Sequence, residues 1–535
     1  MKCKLKRVIS LLLSILFSMS ICITASADDT QDDNSYLLKY EGDNSPLVKS
    51  YCDGMIETPQ WADSLIIVEI RPDTASIGGT LTECYDLIDF YAELGVNGIW
   101  LAPIYERTEI GNGYSNCGPH TLEPAIVGTE DVQEGWQVVR EFVDYAHSKG
   151  IYIFLDVITW GVVRGAPLIE EHPDWFSGEA WGNIAFDWTN SELYDWFVRT
   201  LVNNILVTNA DGYRCDCEPY YSGYSMYGEV RDRLTEKGKN IVIFSEDYST
   251  RSGTYDFEQD GVMAFDTYSR ETLYKNPVNL FSDGYLNIVD TVKNGTNEGY
   301  PQWQGTRNAG TAKYYTNCIT NHDYHSRVVC GSRINIGYSA IFAPYIPIWY
   351  MGDEFNASNV NGVLYDFPVD FSEINNPENG EFLKDVKKMI NIRRTYSDIF
   401  EYWPTNHKYS NICKVESEGF GTLESYARYS GNKAVIIVAN NTENIANGKI
   451  SIPFSDCGID FYKTYKVTEL MSGEVITEGT KKQVAEFTAE INPEYVGVYL
   501  VEGQEPVSNI LVKISSFLML LPDKIYSIYC SIFKR

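Results

Sequence analysis

The sequence predicts an α/β protein, a (β/α)8 TIM barrel followed by a C-terminal antiparallel β-sandwich. Three observations carry that reading. Eight short, largely apolar runs alternate with helix-like stretches between residues 64 and 350. The clearest helical stretches hold apolar residues three and four apart and end at a glycine. After residue 400 the texture changes to short runs separated by Gly, Asn and Asp turns. A doubly wound open sheet is the competing arrangement, and the strand count favours closure.

The elements follow in order. Residues 64–70 read as a compact buried strand. Leu87, Ile88, Tyr91 and Leu94 make a helical stripe, with Gly95 as its stop. Residues 96–103 are the second strand. Val132, Trp136, Val139, Val143 and Ala146 form the next stripe, ended by Gly150. Residues 151–158 are the third strand, and 211–216, 241–246, 262–265, 318–323 and 341–350 complete the eight. The sandwich strands are expected at 425–429, 434–438, 449–452, 465–470 and 497–501.

The ends divide the chain further. Residues 1–27 read as a secretory signal peptide. Lys2, Lys4, Lys6 and Arg7 open it, an apolar stretch over 9–23 follows, and Ala25-Ser26-Ala27 is a small-residue cleavage site. An uncleaved membrane anchor is the alternative. Residues 28–62 form a polar N-terminal segment, 63–400 the barrel with a short inserted domain after its third strand, and 401–503 the sandwich. Residues 504–535 are an apolar tail broken by Lys513, Pro522, Asp523 and Lys524. Neither half of it reaches the run of about 20 apolar residues that a bilayer span needs. The expected location is secreted or extracellular, with membrane or cell-surface association through the tail left open.

Composition excludes some partners. The 535 residues hold 43 Lys and Arg against 73 Asp and Glu, a net charge of −30. No nucleic acid or anionic membrane surface is expected to bind such a chain, because phosphate contacts need basic residues in excess. Of 12 cysteines, Cys3 and Cys22 leave with the signal peptide, and no Cys-x-x-Cys pair suggests zinc.

In a barrel, chemistry belongs at the carboxyl ends of the strands. Strand four closes with Arg214 and Asp216, two apart and so on one face. A guanidinium there holds a carboxylate ionised and oriented. Strand five closes with Glu246, strand seven with Asn321-His322-Asp323, and Asp156 lies near the end of strand three. One such carboxylate is ordinarily a helix cap. Three of them with an Arg and a His on one barrel face are what glycoside hydrolysis requires. A carboxylate attacks the anomeric carbon and a protonated carboxyl serves the leaving oxygen; a separation of about 5–5.5 Å gives retention of configuration.

From about residue 60 to 503 the chain resembles the α-amylase superfamily, glycoside hydrolase family 13. Gly212-Tyr213-Arg214-Cys215-Asp216 matches that family's strand-four signature, which implies Asp216 as nucleophile and Arg214 as its partner. Ser245-Glu246 matches the strand-five motif and implies Glu246 as general acid/base. Asn321-His322-Asp323 implies Asp323 as stabiliser of the transition state and His322 as a ligand of substrate hydroxyls. Gly113-Tyr114 resembles the tyrosine that stacks on the sugar, and Asp156-Val157 the start of the strand-three motif. Residues 347–354 resemble the end of strand eight.

The strand-three motif departs from the family. Trp160 and Gly161 stand where an Asn and a His are usual. The chemistry requires no cofactor. A structural calcium is in doubt, because Trp160 has no oxygen to offer it. The expected activity is hydrolysis of α-glucosidic bonds in an α-glucan or oligosaccharide substrate. Transglycosylation through the same intermediate, and a non-catalytic carbohydrate-binding surface protein on the same fold, are the alternatives.

Overall fold

The computed structural model describes residues 59–75, 79–108, 113–216, 221–245, 267–268, 288–289, 314–323, 333–344, 346–358, 362–401 and 411–519. The expected leader, the N-terminal segment before residue 59 and the tail beyond residue 519 lie outside them.

Eight parallel strands form the first sheet: β1 (Ile67–Ile70), β2 (Gly98–Leu101), β3 (Tyr152–Ile158), β4 (Gly212–Asp216), β5 (Val242–Ser245), β6 (Thr267–Tyr268), β7 (Tyr314–Cys318) and β8 (Ile346–Tyr350). Their order is β5-β4-β3-β2-β1-β8-β7-β6. The first strand pairs with the last, Ile67 opposite Ile348. That pairing separates a barrel from an open doubly wound sheet, in which the chain's first and last strands do not meet around a ring. Among the described residues the row runs from β5 at one end to β6 at the other.

One strand expectation lies outside the described residues and two need correction. Residues 262–265, expected as strand six, lie outside the described residues, and β6 follows at Thr267–Tyr268. Strand seven was expected at 318–323 but ends at Cys318, so Asn321, His322 and Asp323 lie in the loop beyond it. Strand eight was expected at 341–350 but begins at Ile346, and Ile341 is the last residue of a π-helix over Ile334–Ile341.

Alternation within each strand builds the barrel interior. Ile67, Trp100, Phe154, Val242, Phe244, Cys318, Ile346 and Ile348 form one buried cluster, with Ala62 and Leu65 joining it from the segment before β1. Each large side chain fully buried there contributes about 1.5–3 kcal/mol. Helices cover the outside. Tyr85–Leu94 ends at Gly95 in the left-handed conformation. Val132–Ser148 is capped by Asp131, which accepts from Glu134 N–H, and Ser191–Thr208 by Asn190.

After β3 comes a small antiparallel sheet, with Gly161–Val162 against Asn183–Phe186 and that strand against Phe176–Ala180. The C-terminal region holds a six-stranded sheet and a three-stranded sheet over residues 412–506. Their facing side chains share one core that includes Ile436, Val438, Tyr465, Phe487 and Tyr499. The strands at Ile412–Val415, Val475–Gly479 and Glu486–Ile491 add to those the sequence suggested. This sandwich docks on the π-helix, where Tyr426 donates its hydroxyl to Tyr338 O at 2.7 Å. Among the described residues no helix is long and apolar enough to cross a membrane.

Candidate active site

The site forms where four strands deliver polar side chains to one end of the barrel. On β4 the alternation points Gly212, Arg214 and Asp216 inward, while Tyr213 reaches outward to bond Leu201 O. Gly212 is required by close approach: a Cβ there would sit 1.8 Å from Val242 O, and its φ is +154°. The absence of a side chain lets β4 and β5 meet beneath the functional pair.

Arg214 is fully buried and organises the centre. Its Nη1 donates to Asp216 Oδ1 at 2.8 Å and to both oxygens of Asp156 at 3.2 Å. Its guanidinium lies 4.3 Å from the centre of the Trp100 ring, a cation–π contact. Asp156 on β3 also accepts from Tyr114 Oη at 2.6 Å and from Trp100 Nε1 at 2.7 Å. Burial pushes the Asp156 pKa above the ordinary carboxylate value, and Arg214, Tyr114 and Trp100 oppose that rise.

His322 completes the group from the loop after β7. Its Nδ1 is 2.6 Å from Glu69 Oε1, and its backbone N–H donates to Glu69 Oε2 at 3.1 Å. Burial alone would lower the ring's pKa, but the Glu69 charge and hydrogen bond leave it raised. The loop is held from below by Thr320, which accepts Tyr350 N–H and donates to Asp353. Tyr114 stacks on His322 with ring centres 4.3 Å apart and planes 16° apart. One face of the Tyr114 ring is thus covered by a protein side chain, and its hydroxyl points at Asp156.

The structure therefore brings together Asp216, Arg214, Asp156, Tyr114 and His322. Asp323 sits at the rim, 58% exposed, with Oδ1 3.6 Å from His322 Nε2. Glu246 lies outside the described residues, one position beyond the end of β5.

One member, Glu69, was not singled out from sequence, and Trp160 was noted only as a departure from the strand-three motif. Glu69 is a single acid within Ile-Val-Glu-Ile, and its burial at the end of β1 is the signal that marks it. Trp160 lies just past β3 and donates Nε1–H to Asp216 Oδ2 at 2.7 Å. The departure from the family motif at this position is thus a donor aimed at the β4 carboxylate. It does not fit a calcium ligand, since the indole has no oxygen and its N–H is already engaged. Among the described residues no group of three or more His, Cys, Asp or Glu is arranged to hold a metal.

Comparison with known proteins points the same way. Residues 25–163 match the model of the alpha-amylase catalytic domain. A cyclomaltodextrinase from Thermoanaerobacter pseudethanolicus is 20% identical over 412 residues, 68% of this chain and 64% of that protein. A trehalose-6-phosphate hydrolase from Escherichia coli is 31% identical over 109 residues, 19% of this chain and 18% of that protein. A 1,4-alpha-glucan branching enzyme from Corynebacterium glutamicum is 29% identical over 170 residues, 29% of this chain and 22% of that protein. The chain spans less than two thirds of the length of these curated relatives. Among solved structures, an Anoxybacillus alpha-amylase superposes with a TM-score of 0.63 at 18% identity, covering 84% of this chain and 99% of that one. A maltogenic alpha-amylase from Thermotoga neapolitana gives 0.60 at 16%, covering 83% and 99%. These likenesses establish the fold, a barrel with a C-terminal β domain. Over residues 25–163 the chain is also similar in sequence to the alpha-amylase catalytic domain.

Proposed function

We propose that the protein is a secreted, retaining glycoside hydrolase that cleaves α-glucosidic bonds in α-glucans or oligosaccharides. The observation that carries this reading is the carboxylate of Asp216, held by Arg214 on one oxygen and by Trp160 on the other at the mouth of the barrel. A fixed, ionised carboxylate in a nearly dry pocket is a competent nucleophile. Its electron pair goes to the anomeric carbon, the glycosidic C–O bond breaks, and the leaving oxygen takes a proton from Glu246. Water, deprotonated by the same Glu246, then releases the sugar and regenerates the carboxylate. Asp323, next to His322 at the rim, is assigned to the positive charge that develops on the ring. His322, polarised by Glu69, is assigned to substrate hydroxyls, and Asp156 to fixing Arg214.

Asp216→Asn keeps shape and removes the charge. It should lower turnover by about three orders of magnitude or more, while the far-UV circular dichroism and melting curve stay as in the parent. Purified parent and variant, compared on starch, maltooligosaccharides, pullulan, isomaltooligosaccharides, sucrose and trehalose, decide this and identify the linkage. Wild-type turnover by the variant would exclude the assignment. The branching-enzyme relative supports transglycosylation as a second reading. Oligosaccharides longer than the substrate, appearing at high sugar concentration, distinguish it.

A further inference from the structure

We propose that Trp160 is a positioning residue for the reaction, holding the Asp216 carboxylate in the orientation from which it attacks. The inference rests on Asp216 as nucleophile and goes beyond it by assigning a role to the position where the chain departs from its family.

Four observations support it. First, Trp160 Nε1 lies 2.7 Å from Asp216 Oδ2, while Arg214 holds Oδ1 at 2.8 Å. Donors on both oxygens fix rotation of the carboxylate, which a single donor leaves free. Second, the indole is 7% exposed and Asp216 6%, so the bond forms largely away from competing water. Third, the Trp160 backbone is clamped on both sides. Its carbonyl accepts Phe186 N–H at 3.2 Å, and the preceding Thr159 carbonyl accepts Trp188 Nε1–H at 2.9 Å. Fourth, Gly161 pairs so closely with the strand Asn183–Phe186 that a Cβ would lie 2.2 Å from Ile184 O. No larger residue enters at 161 without moving that strand. The small sheet thus occupies the space beside Trp160 and sets the indole's approach to Asp216.

The chemical consequence follows from charge. An N–H donor favours the carboxylate over both the protonated acid and the neutral glycosyl ester. It therefore keeps Asp216 ionised at a pH where the general acid still holds its proton. It also favours the second half of the reaction, in which water takes the sugar and the ester oxygen leaves as carboxylate. Among the described residues the charged and titratable groups around Asp216 are Arg214 and Cys215 on its own strand, Asp156 on β3, Tyr114 after β2, His322 after β7 and Glu69 on β1; the general acid Glu246 lies outside them. Trp160 itself does not titrate, so replacing it removes a hydrogen bond and no charge.

The test compares parent and Trp160→Phe across pH on a substrate the parent cleaves. The expected result is a fall in kcat/KM of about ten- to one-hundredfold, the cost of misplacing a reacting group. The acid limb of the profile should move up by about one pH unit, and the alkaline limb should stay. A merely space-filling role moves neither limb. If Trp160→Phe does not fold, β-(3-benzothienyl)alanine at position 160 keeps the ring volume without the N–H, and the same shift is expected. An acid limb that stays in place in a folded variant overturns the inference while leaving Asp216 as nucleophile. Wild-type activity in Asp216→Asn overturns both.

Discussion

At the scale of single residues, the candidate site is a chain of charge compensation. Arg214 lies between Asp156 and Asp216, and Glu69 lies against His322. Each buried charge has an opposite partner, which is what makes burial tolerable. Glu69 tests this arrangement. Its carboxylate holds the His322 pKa above the ordinary value against the effect of burial. In Glu69→Gln the charge is gone and burial prevails, so the ring should titrate lower than in the parent. Histidine-labelled protein followed by NMR across pH measures this directly; an unchanged His322 titration would show that Glu69 does not set it. The sequence made Arg214 and Asp216 legible because a spacing of two on a strand puts them on one face. It did not make Glu69 legible, because a single acid within the buried run Ile-Val-Glu-Ile belongs to no motif that marks it. The role of Trp160 was equally hidden, since an indole past a strand end serves packing, stacking or hydrogen bonding with equal ease.

At the scale of elements, most strands were legible because barrel strands are buried on both faces and read as apolar runs. Strand seven was displaced because Tyr-Tyr-Thr-Asn-Cys carries only two large apolar side chains, while Cys-Ile-Thr after it looks more strand-like. The start of strand eight was set too early for the opposite reason: the end of the helix before it is buried all round, so it shows no period that separates strand from helix. The contact between β4 and β5 gives a prediction at this scale. Gly212→Ala would drive a methyl group into Val242 O and force an unfavourable φ. It should destabilise the fold by about 3 kcal/mol or more, read as a lower urea midpoint with an unchanged slope. A midpoint equal to the parent's would mean that the two strands part at no cost.

At the scale of the whole molecule, acidity should govern stability as well as catalysis. Glu354, just after β8, is fully buried among Tyr91, Trp349 and the Gly352 amide. Burial pushes its pKa up from 4.5 to about 7. The folded protein therefore holds a proton that the unfolded chain releases between these values, so this group makes stability fall as pH rises from 4.5 to 7. The full effect is about 3 kcal/mol at most. Glu354→Gln, neutral at every pH, should flatten that part of the curve. Thermal melts of both proteins at several pH values check it, and parallel curves would refute the role of Glu354. The net charge of −30 adds to the same trend through self-repulsion as the acids ionise.

The central claim is that Asp216 forms a covalent bond to the sugar. It is tested most directly by mass spectrometry of the protein quenched during turnover of a fluorinated α-glucosyl fluoride, whose electron-poor ring slows release of the ester. One added sugar per chain is expected, located to the peptide that carries Asp216 and absent from Asp216→Asn. A sugar bound to a different carboxylate, or steady turnover of that substrate with no adduct at any time, would contradict it.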